Sequence, residues 1–360
     1  MKTAALLEVD LDAVAVNWRL LAARHAAGSV AAVVKADGYG LGAAPVARRL
    51  HREGCAHFFV AHLAEAAAIR AEVPGAMVAA LNGLWPGDAP DYVAHGVLPV
   101  LGSLGEVEAW SAQARRAGRS LPALLHVDTG MNRLGLPPAE VARLAAEPER
   151  LAGIGVRYVA THLASAEAEA DPANGEQLGR FAAACARLPA SPRSLANSSG
   201  IFLGPAYASD LARPGAALYG LNPTPGRANP MRGCVRLRAR ILQVRDARHG
   251  ESVGYNGTWT ARRPTRVATV SVGYADGFLR ALSNQGEARF DGAPVPLVGR
   301  VSMDLTTFDV TDAPGAVPGA WLDLVGPDLP ADAVAERAGT NGYEILTALG
   351  RRYARRYIGA

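Results

Sequence analysis

The chain has 360 residues, 49% of them hydrophobic and 19% charged, which is enough apolar surface for one large domain or two ordinary ones and unlike a disordered chain. Its formal net charge is only +4, and its arginines are spread out rather than gathered in a basic block with stacking aromatics, which argues against nucleic-acid binding. Three widely separated cysteines, Cys55, Cys185 and Cys234, give neither a disulfide framework nor a metal-ligand cluster. No stretch is long and apolar enough to cross a bilayer, and no basic-then-apolar leader opens the chain, so a cytoplasmic protein without bound metal is expected.

From residue 28 to about 222, short apolar or β-branched runs alternate with Ala-rich stretches of helical spacing. The pattern predicts strands over 30–35, 57–61, 77–81, 98–101, 123–127, 155–162 and 194–197, and a last one near 216–221. Between them it predicts helices over 43–53, 63–72, 88–95, 104–117, 138–152 and 176–188. Such alternation argues parallel strands with crossover helices, and the number of units favours a closed (β/α)8 TIM-type barrel over an open sheet. Asn222-Pro223-Thr224-Pro225-Gly226 reads as a linker. Beyond it the signal is mainly β, with strands over 235–244, 266–272, 288–290, 295–298, 304–310 and 321–325 and short helices over 331–338 and 342–348. Two domains are therefore expected, a barrel over 1–222 and a mainly β domain over 223–360, with the first residues able to pair with the second domain.

Lysine usage singles out one position. Of 37 Lys plus Arg residues only Lys2 and Lys35 are lysines. Lys35 ends the apolar run Val30-Ala31-Ala32-Val33-Val34. Guanidinium cannot lose its proton in a protein, whereas an amine can and then attacks a carbonyl. A carbonyl-attacking lysine at the end of a buried strand is one reading, and a lysine that merely flanks a strand is the other.

In a barrel, chemistry gathers at the C-terminal ends of the strands. His126-Val127-Asp128-Thr129-Gly130-Met131-Asn132-Arg133, Thr161-His162 and Asn197-Ser198-Ser199-Gly200 fall at or just after strand ends, as Lys35 does, and Arg213-Pro214-Gly215-Ala216 precedes the last expected strand, so that these clusters are expected to converge on one face. Small residues with free N–H groups and hydroxyls suit a phosphate. A lysine beside a phosphate site points to pyridoxal 5'-phosphate.

The same residues carry a family resemblance. Val33-Val34-Lys35-Ala36-Asp37-Gly38-Tyr39-Gly40, the run from Val127 to Gly135, Thr161-His162-Leu163-Ala164, Asn197-Ser198-Ser199 and Arg213-Pro214-Gly215-Ala216 resemble alanine racemase. So do Gly254-Tyr255-Asn256-Gly257-Thr258, Val272-Gly273-Tyr274-Ala275-Asp276-Gly277, Gly299-Arg300-Val301-Ser302-Met303-Asp304 and Asn341-Gly342-Tyr343-Glu344-Ile345-Leu346. The motifs run in the family's order from near one end of the chain to the other.

The resemblance implies a pyridoxal-phosphate enzyme that interconverts L- and D-alanine and works as a homodimer with shared sites. It implies that Lys35 binds the cofactor covalently and serves one face of the substrate Cα, while Tyr255 from the partner subunit serves the other. A tyrosine used as a base needs neighbours that poise it; the resemblance assigns that support to His162 and Arg213, with Arg213 facing the cofactor's ring nitrogen. Arg133 matches a residue near the cofactor's phenolic oxygen and the substrate carboxylate. Tyr39, Ser198, Gly215, Ala216 and Tyr343 match the phosphate site, and Asn197 joins the cofactor-binding set. Tyr274 and Met303 match substrate-pocket residues of the partner subunit, and Glu167, Arg280 and Arg300 match charged residues at the entrance.

Each residue taken singly has a plainer alternative. An isolated Tyr255 is an amphipathic tyrosine and His162 a satisfied structural histidine. Arg133 and Arg213 are ion-pair partners, and Met303 is core filler. Two departures from the family pattern stand out. His126 stands where many members have a lysine that can be carbamylated, and Asn256 where a glycine commonly follows the tyrosine. A racemase of broader specificity, acting on serine or larger side chains, is the nearest alternative. More distant ones are a decarboxylase or aldolase on the same barrel and a protein that only carries the cofactor.

Overall fold

The computed structural model describes residues 3–359; Lys2 lies outside them. The barrel's parallel strands follow one another as Ser29–Val30 with Ala32–Val33, His57–Val60, Met77–Ala80, Leu98–Leu101, Leu121–His126, Ile154–Ala160, Arg193–Ser194 and Leu211–Ala212. The last strand pairs parallel with the first, and Ala31 and Val33 N–H donate to Ala212 and Pro214 carbonyls at 2.9 and 3.1 Å, closing the ring. Between the seventh and eighth strands the ladder is irregular, and Arg213 N–H reaches Ala196 O at 2.8 Å. Phe58, Phe59, Val60, Val78, Ala79, Ala80, Leu101 and Ala123 to Leu125 are fully buried. Strands covered on both faces read as continuous apolar runs, which is why the sequence pattern finds them.

Several expected bounds are corrected. The first strand stops at Val33 rather than Lys35, because the chain turns into a left-handed segment there. The last strand is Leu211–Ala212, and Ala216–Tyr219 is a 3-10 turn instead of a strand. Pro214 has no N–H to give a ladder, and Gly215 N–H is taken by the Ser198 hydroxyl at 3.0 Å. The sixth crossover helix starts earlier than expected, at Pro172, where Asp171 caps Ala173 N–H at 2.9 Å and proline suits the first helical position.

The strand Ala5–Asp10 and helix Leu11–Arg24 precede the expected alternation. Asp10 caps the helix by accepting from Ala13 N–H at 2.9 Å. Buried Asn17 donates to Leu218 and Arg232 carbonyls at 3.1 and 2.8 Å, docking the helix on the 3-10 turn after the closing strand and on the chain that leads into the second domain. The strand lies in the second domain's sheet, antiparallel to Val235–Ala247 and parallel to Ala354–Ile358. Val235–Ala247 is long because it serves two sets of partners. Its first half pairs with Ala5–Asp10 and Trp321–Val325, and after a bulge at Ile241/Gln243 its second half pairs with Thr265–Val270.

A carboxylate at the third position of three crossover helices ties the barrel's rim together. Glu65 accepts from Ala36 and Ala61 N–H at 2.7 Å each. Glu106 accepts from Leu84 at 3.2 Å and Gly102 at 2.5 Å, and Glu140 from Leu104 at 2.9 Å. Charge-assisted bonds of this kind are stronger than neutral ones, and each reaches from a helix start to a neighbouring loop.

The second domain grips the barrel at residues 40–42. Arg355 Nη1 donates to Gly40 O at 2.7 Å and Tyr357 Oη to Leu41 O at 2.9 Å. A Cβ on Gly40, whose φ is 80°, would sit 2.2 Å from Leu346 O. Gly40→Ala should therefore cost about 3 kcal/mol in denaturant unfolding, from backbone strain plus this clash. A loss below about 0.5 kcal/mol, the level of an ordinary surface change, would show that the two domains are not packed this closely.

Candidate active site

A cavity of about 850 Å³ opens at the C-terminal ends of the strands. Lys35, Tyr39, Arg133, His162, Asn197, Ser198, Arg213, Gly215, Ala216 and Tyr343 all line it, as do His126, His62, Asn82 and Trp85. No carboxylate is among the lining residues, and three of them are Lys or Arg.

Lys35 enters this cavity from an unusual piece of backbone. Ala36, Asp37, Gly38, Tyr39 and Gly40 have φ of 53°, 54°, 62°, 54° and 80°, a left-handed helical turn in which only two residues are glycine. Each non-glycine residue there costs roughly 1–2 kcal/mol. The turn is held by Gly40 N–H to Ala36 O at 2.8 Å, Gly42 N–H to Asp37 O at 2.7 Å and Ala43 N–H to Asp37 Oδ1 at 2.9 Å. It places the Tyr39 ring against Tyr219, centroids 4.7 Å apart. Burial lowers the Lys35 amine below the ordinary lysine range, the Arg133 cation adds to this, and Glu65 opposes both.

The phosphate-type donors lie across the cavity. Ser198 Oγ accepts from Gly215 N–H at 3.0 Å and Ala217 N–H at 3.2 Å. A Cβ on Gly215 would lie 2.2 Å from Tyr39 Oη, so glycine is required where these two segments meet. Asn197 Oδ1 accepts from Gly200 N–H at 2.8 Å and so shapes the turn after Ser198. Tyr343 Oη donates to Glu167 Oε1 at 3.0 Å, which brings that acid to the cavity's edge.

Arg213 is buried and donates to Ser194 Oγ and the Thr161 carbonyl. Among the described residues no carboxylate pairs with it. Burial lowers its pKa to about 10, which leaves it a cation at neutral pH. His162 is pushed down to about 3 by burial and by Arg213, Arg133, His126 and Lys35. His126 is pushed down to about 4 by burial and by Arg213 and Arg133, against Asp128. Both imidazoles are therefore neutral at pH 7. The loop carrying exposed Arg133 is set by Asp128, whose Oδ1 accepts from Gly130 and Met131 N–H at 2.9 and 3.0 Å.

Tyr255, Tyr274, Met303, Arg280 and Arg300 do not line the cavity of their own chain. Tyr255, Tyr274 and Met303 are 68%, 43% and 54% exposed on the second domain, unusual values for large apolar side chains. Asn256 has φ 62°, so it takes the left-handed conformation that asparagine tolerates better than most residues. Glu65 escaped the sequence reading. Its signal was the spacing His62-x-x-Glu65 at a helix start, a capping-box pattern that says nothing of the left-handed turn it reaches.

Fold and cavity define the class: a barrel whose Lys35 shares a cation-lined rim pocket with small hydrogen-bonding residues, joined to a β domain. Residues 9–223 match the family described as alanine racemase, N-terminal domain, and residues 234–357 the one described as alanine racemase, C-terminal domain. An alanine racemase of Acidiphilium cryptum is 55% identical over 97% of this chain and 97% of its own length. The crystal structure of alanine racemase from Bartonella henselae with covalently bound pyridoxal phosphate superposes with a TM-score of 0.96 at 39% identity, covering 99% of this chain and 100% of that one. The biosynthetic alanine racemase of Pseudomonas aeruginosa gives 0.90 at 35% identity, covering 99% of each chain. The chain belongs to the alanine racemase family.

The depressed histidines set a pH test. Unfolded, both titrate near ~6.5. From there down to about 4 for His126 and about 3 for His162, the unfolded chain binds more protons than the folded one, so stability falls with pH. His162→Gln should flatten the fall of the thermal midpoint across this window in protein freed of small molecules. An unchanged slope would mean that His162 is not held neutral in the folded chain.

Proposed function

We propose that this chain interconverts L- and D-alanine with pyridoxal phosphate, as a cytoplasmic homodimer whose two active sites are shared. The observation that carries the reading is Lys35, an amine of lowered pKa on a strained turn in a pocket otherwise built for an anion. The donor set fits the cofactor: an amine for its aldehyde, Tyr39, Ser198, Gly215, Ala216 and Tyr343 around its phosphate, and Arg213 at its ring nitrogen. When bound, pyridoxal phosphate supplies an electron sink that acidifies the Cα–H of an attached amino acid.

The chain's residues do the rest. Lys35 Nζ takes the Cα proton on one face, and Tyr255 Oη of the partner subunit delivers a proton on the other. Each such turnover leaves one more proton on Lys35 and one fewer on Tyr255, and exchange with solvent resets the pair. Buried Arg213 stays cationic and so disfavours a proton on the ring nitrogen beside it, which limits how much charge the ring draws from Cα. His162, kept neutral, links that arginine to the tyrosine. Arg133 orients the substrate carboxylate, and Asn197 holds the loop around Ser198. Tyr274 and Met303 of the partner subunit close the substrate pocket. Glu167 braces Tyr343 at the entrance, with Arg280 and Arg300 as its charged rim. D-alanine made this way would feed cell-wall synthesis, or L-alanine made from the D-isomer would feed catabolism.

The test uses subunits that each lack one base. Lys35→Arg and Tyr255→Phe homodimers should each lose at least about a thousand-fold in kcat, the scale of a missing acid–base or nucleophilic group. Mixed under confirmed subunit exchange, they should regain activity, because each heterodimer holds one intact site. Activity that does not return would contradict the shared site. A Lys35→Arg homodimer that still racemises alanine would contradict the assignment of Lys35.

A further inference from the structure

Glu65 stands outside the cavity wall, yet one of its bonds falls on the peptide that follows Lys35. Oε1 accepts from Ala36 N–H at 2.7 Å, while Oε2 accepts from Ala61 N–H at 2.7 Å and His62 N–H at 3.2 Å. One carboxylate thus joins the end of the second barrel strand, the start of its crossover helix and the left-handed turn. We propose that Glu65 is a positioning residue for the reaction: its bridging carboxylate fixes the turn that aims Lys35 into the cavity and sets a negative charge beside the peptide that follows the lysine. This rests on the reading of Lys35 given above.

The two sister carboxylates show what is particular about Glu65. Glu106 bridges Leu84 and Gly102, and Glu140 holds Leu104. None of those three residues has a positive φ. Glu65 alone of the three receives an N–H from the left-handed segment, where an unheld backbone has the most to gain by relaxing. The bond lies one peptide from the Lys35 Cα, so a shift there is carried directly to the amine.

Its charge adds a second effect. Around the cavity Lys35 shares its surroundings with Arg133, Arg213, His126, His162, Tyr39 and Tyr343. Arg133 and burial favour the neutral amine, and Glu65 is the anion that opposes them. The groups set against Glu65 are the three N–H donors, Lys35 and the His62 ring, which pairs with Asn82 at 3.3 Å. Removing the charge therefore lowers the pH at which Lys35 loses its proton, and removing the bridge loosens its aim.

The 360-residue chain offers a clean probe, because Lys2 and Lys35 are its only lysines. Protein freed of cofactor is acetylated with acetic anhydride across a pH series, and peptide mass spectrometry reads Lys35 against Lys2. Glu65→Gln, which keeps shape but offers an N–H where an acceptor is needed, should lower the Lys35 midpoint relative to the unchanged chain. Loaded with cofactor, it should lose roughly ten- to a hundred-fold in kcat with little change in KM. Glu106→Gln, the same bridge between other strands, should lower thermal stability and leave the Lys35 midpoint where it is. A Glu65→Gln midpoint that does not move, or that moves equally in Glu106→Gln, overturns the proposal. If Glu65→Gln fails to fold, Glu65→Asp keeps the charge on a shorter arm; it should hold the midpoint and still lose turnover, and full turnover overturns the proposal. Racemisation by Lys35→Ala would overturn the underlying reading of Lys35 instead, whatever Glu65 does.

Discussion

The left-handed turn from Ala36 to Gly40 is the constraint on which the rest depends. Three of its five residues carry a Cβ, so the turn alone is unfavourable by several kcal/mol, at roughly 1–2 kcal/mol each. It persists because it is held from two directions. On the barrel side Glu65 accepts from its Ala36 amide and the Asp37 carboxylate ties it to Ala43 N–H, while Arg355, Tyr357 and Leu346 press on it and on Leu41 from the second domain. A barrel by itself would supply only half of these contacts. This gives a physical reason for the chain to start in the second domain's sheet, build the barrel and then return to the sheet with Ala354–Ile358 beside Ala5–Asp10. The position of one amine is thus over-determined by both domains.

Electrostatics follow from the same enclosure. The cavity carries cations and neutral imidazoles and no lining carboxylate, so it is unbalanced until an anion enters. Arg213 keeps its charge although buried, because hydroxyl and carbonyl oxygens satisfy its donors. That same positive field, together with burial, holds His126 and His162 neutral. A neutral His126 adds no repulsion to the Arg133 cation. Tyr255, Tyr274 and Met303 are exposed on the second domain and do not line this cavity of their own chain.

Legibility in the sequence divided along physical lines. Val78 to Ala80 and Ala123 to Leu125 announced barrel strands because burial on both faces leaves continuous apolar runs. Lys35, Arg133, His162, Ser198 and Arg213 could be placed together because strand ends of a barrel converge on one face. Ala5–Asp10 was legible only as first residues able to pair with the second domain; its bounds and register were not, because its partners, Val235–Ala247 and Ala354–Ile358, lie hundreds of residues away in the chain. The turn after Lys35 was hidden, since Ala36-Asp37-Gly38-Tyr39 has a single glycine and nothing local demands positive φ. Its conformation is imposed by tertiary contacts, Glu65 among them, that no local pattern encodes.

The central claim is that Lys35 is the amine that binds the cofactor, and the near-absence of lysine from this chain makes that claim simple to test. Reducing the cofactor-loaded protein with borohydride fixes any cofactor–amine linkage, and proteolysis with mass spectrometry then locates it. The account predicts the reduced cofactor on the peptide containing Lys35 and none on the peptide containing Lys2. A reduced cofactor on Lys2, or on neither lysine of an active enzyme, would contradict it.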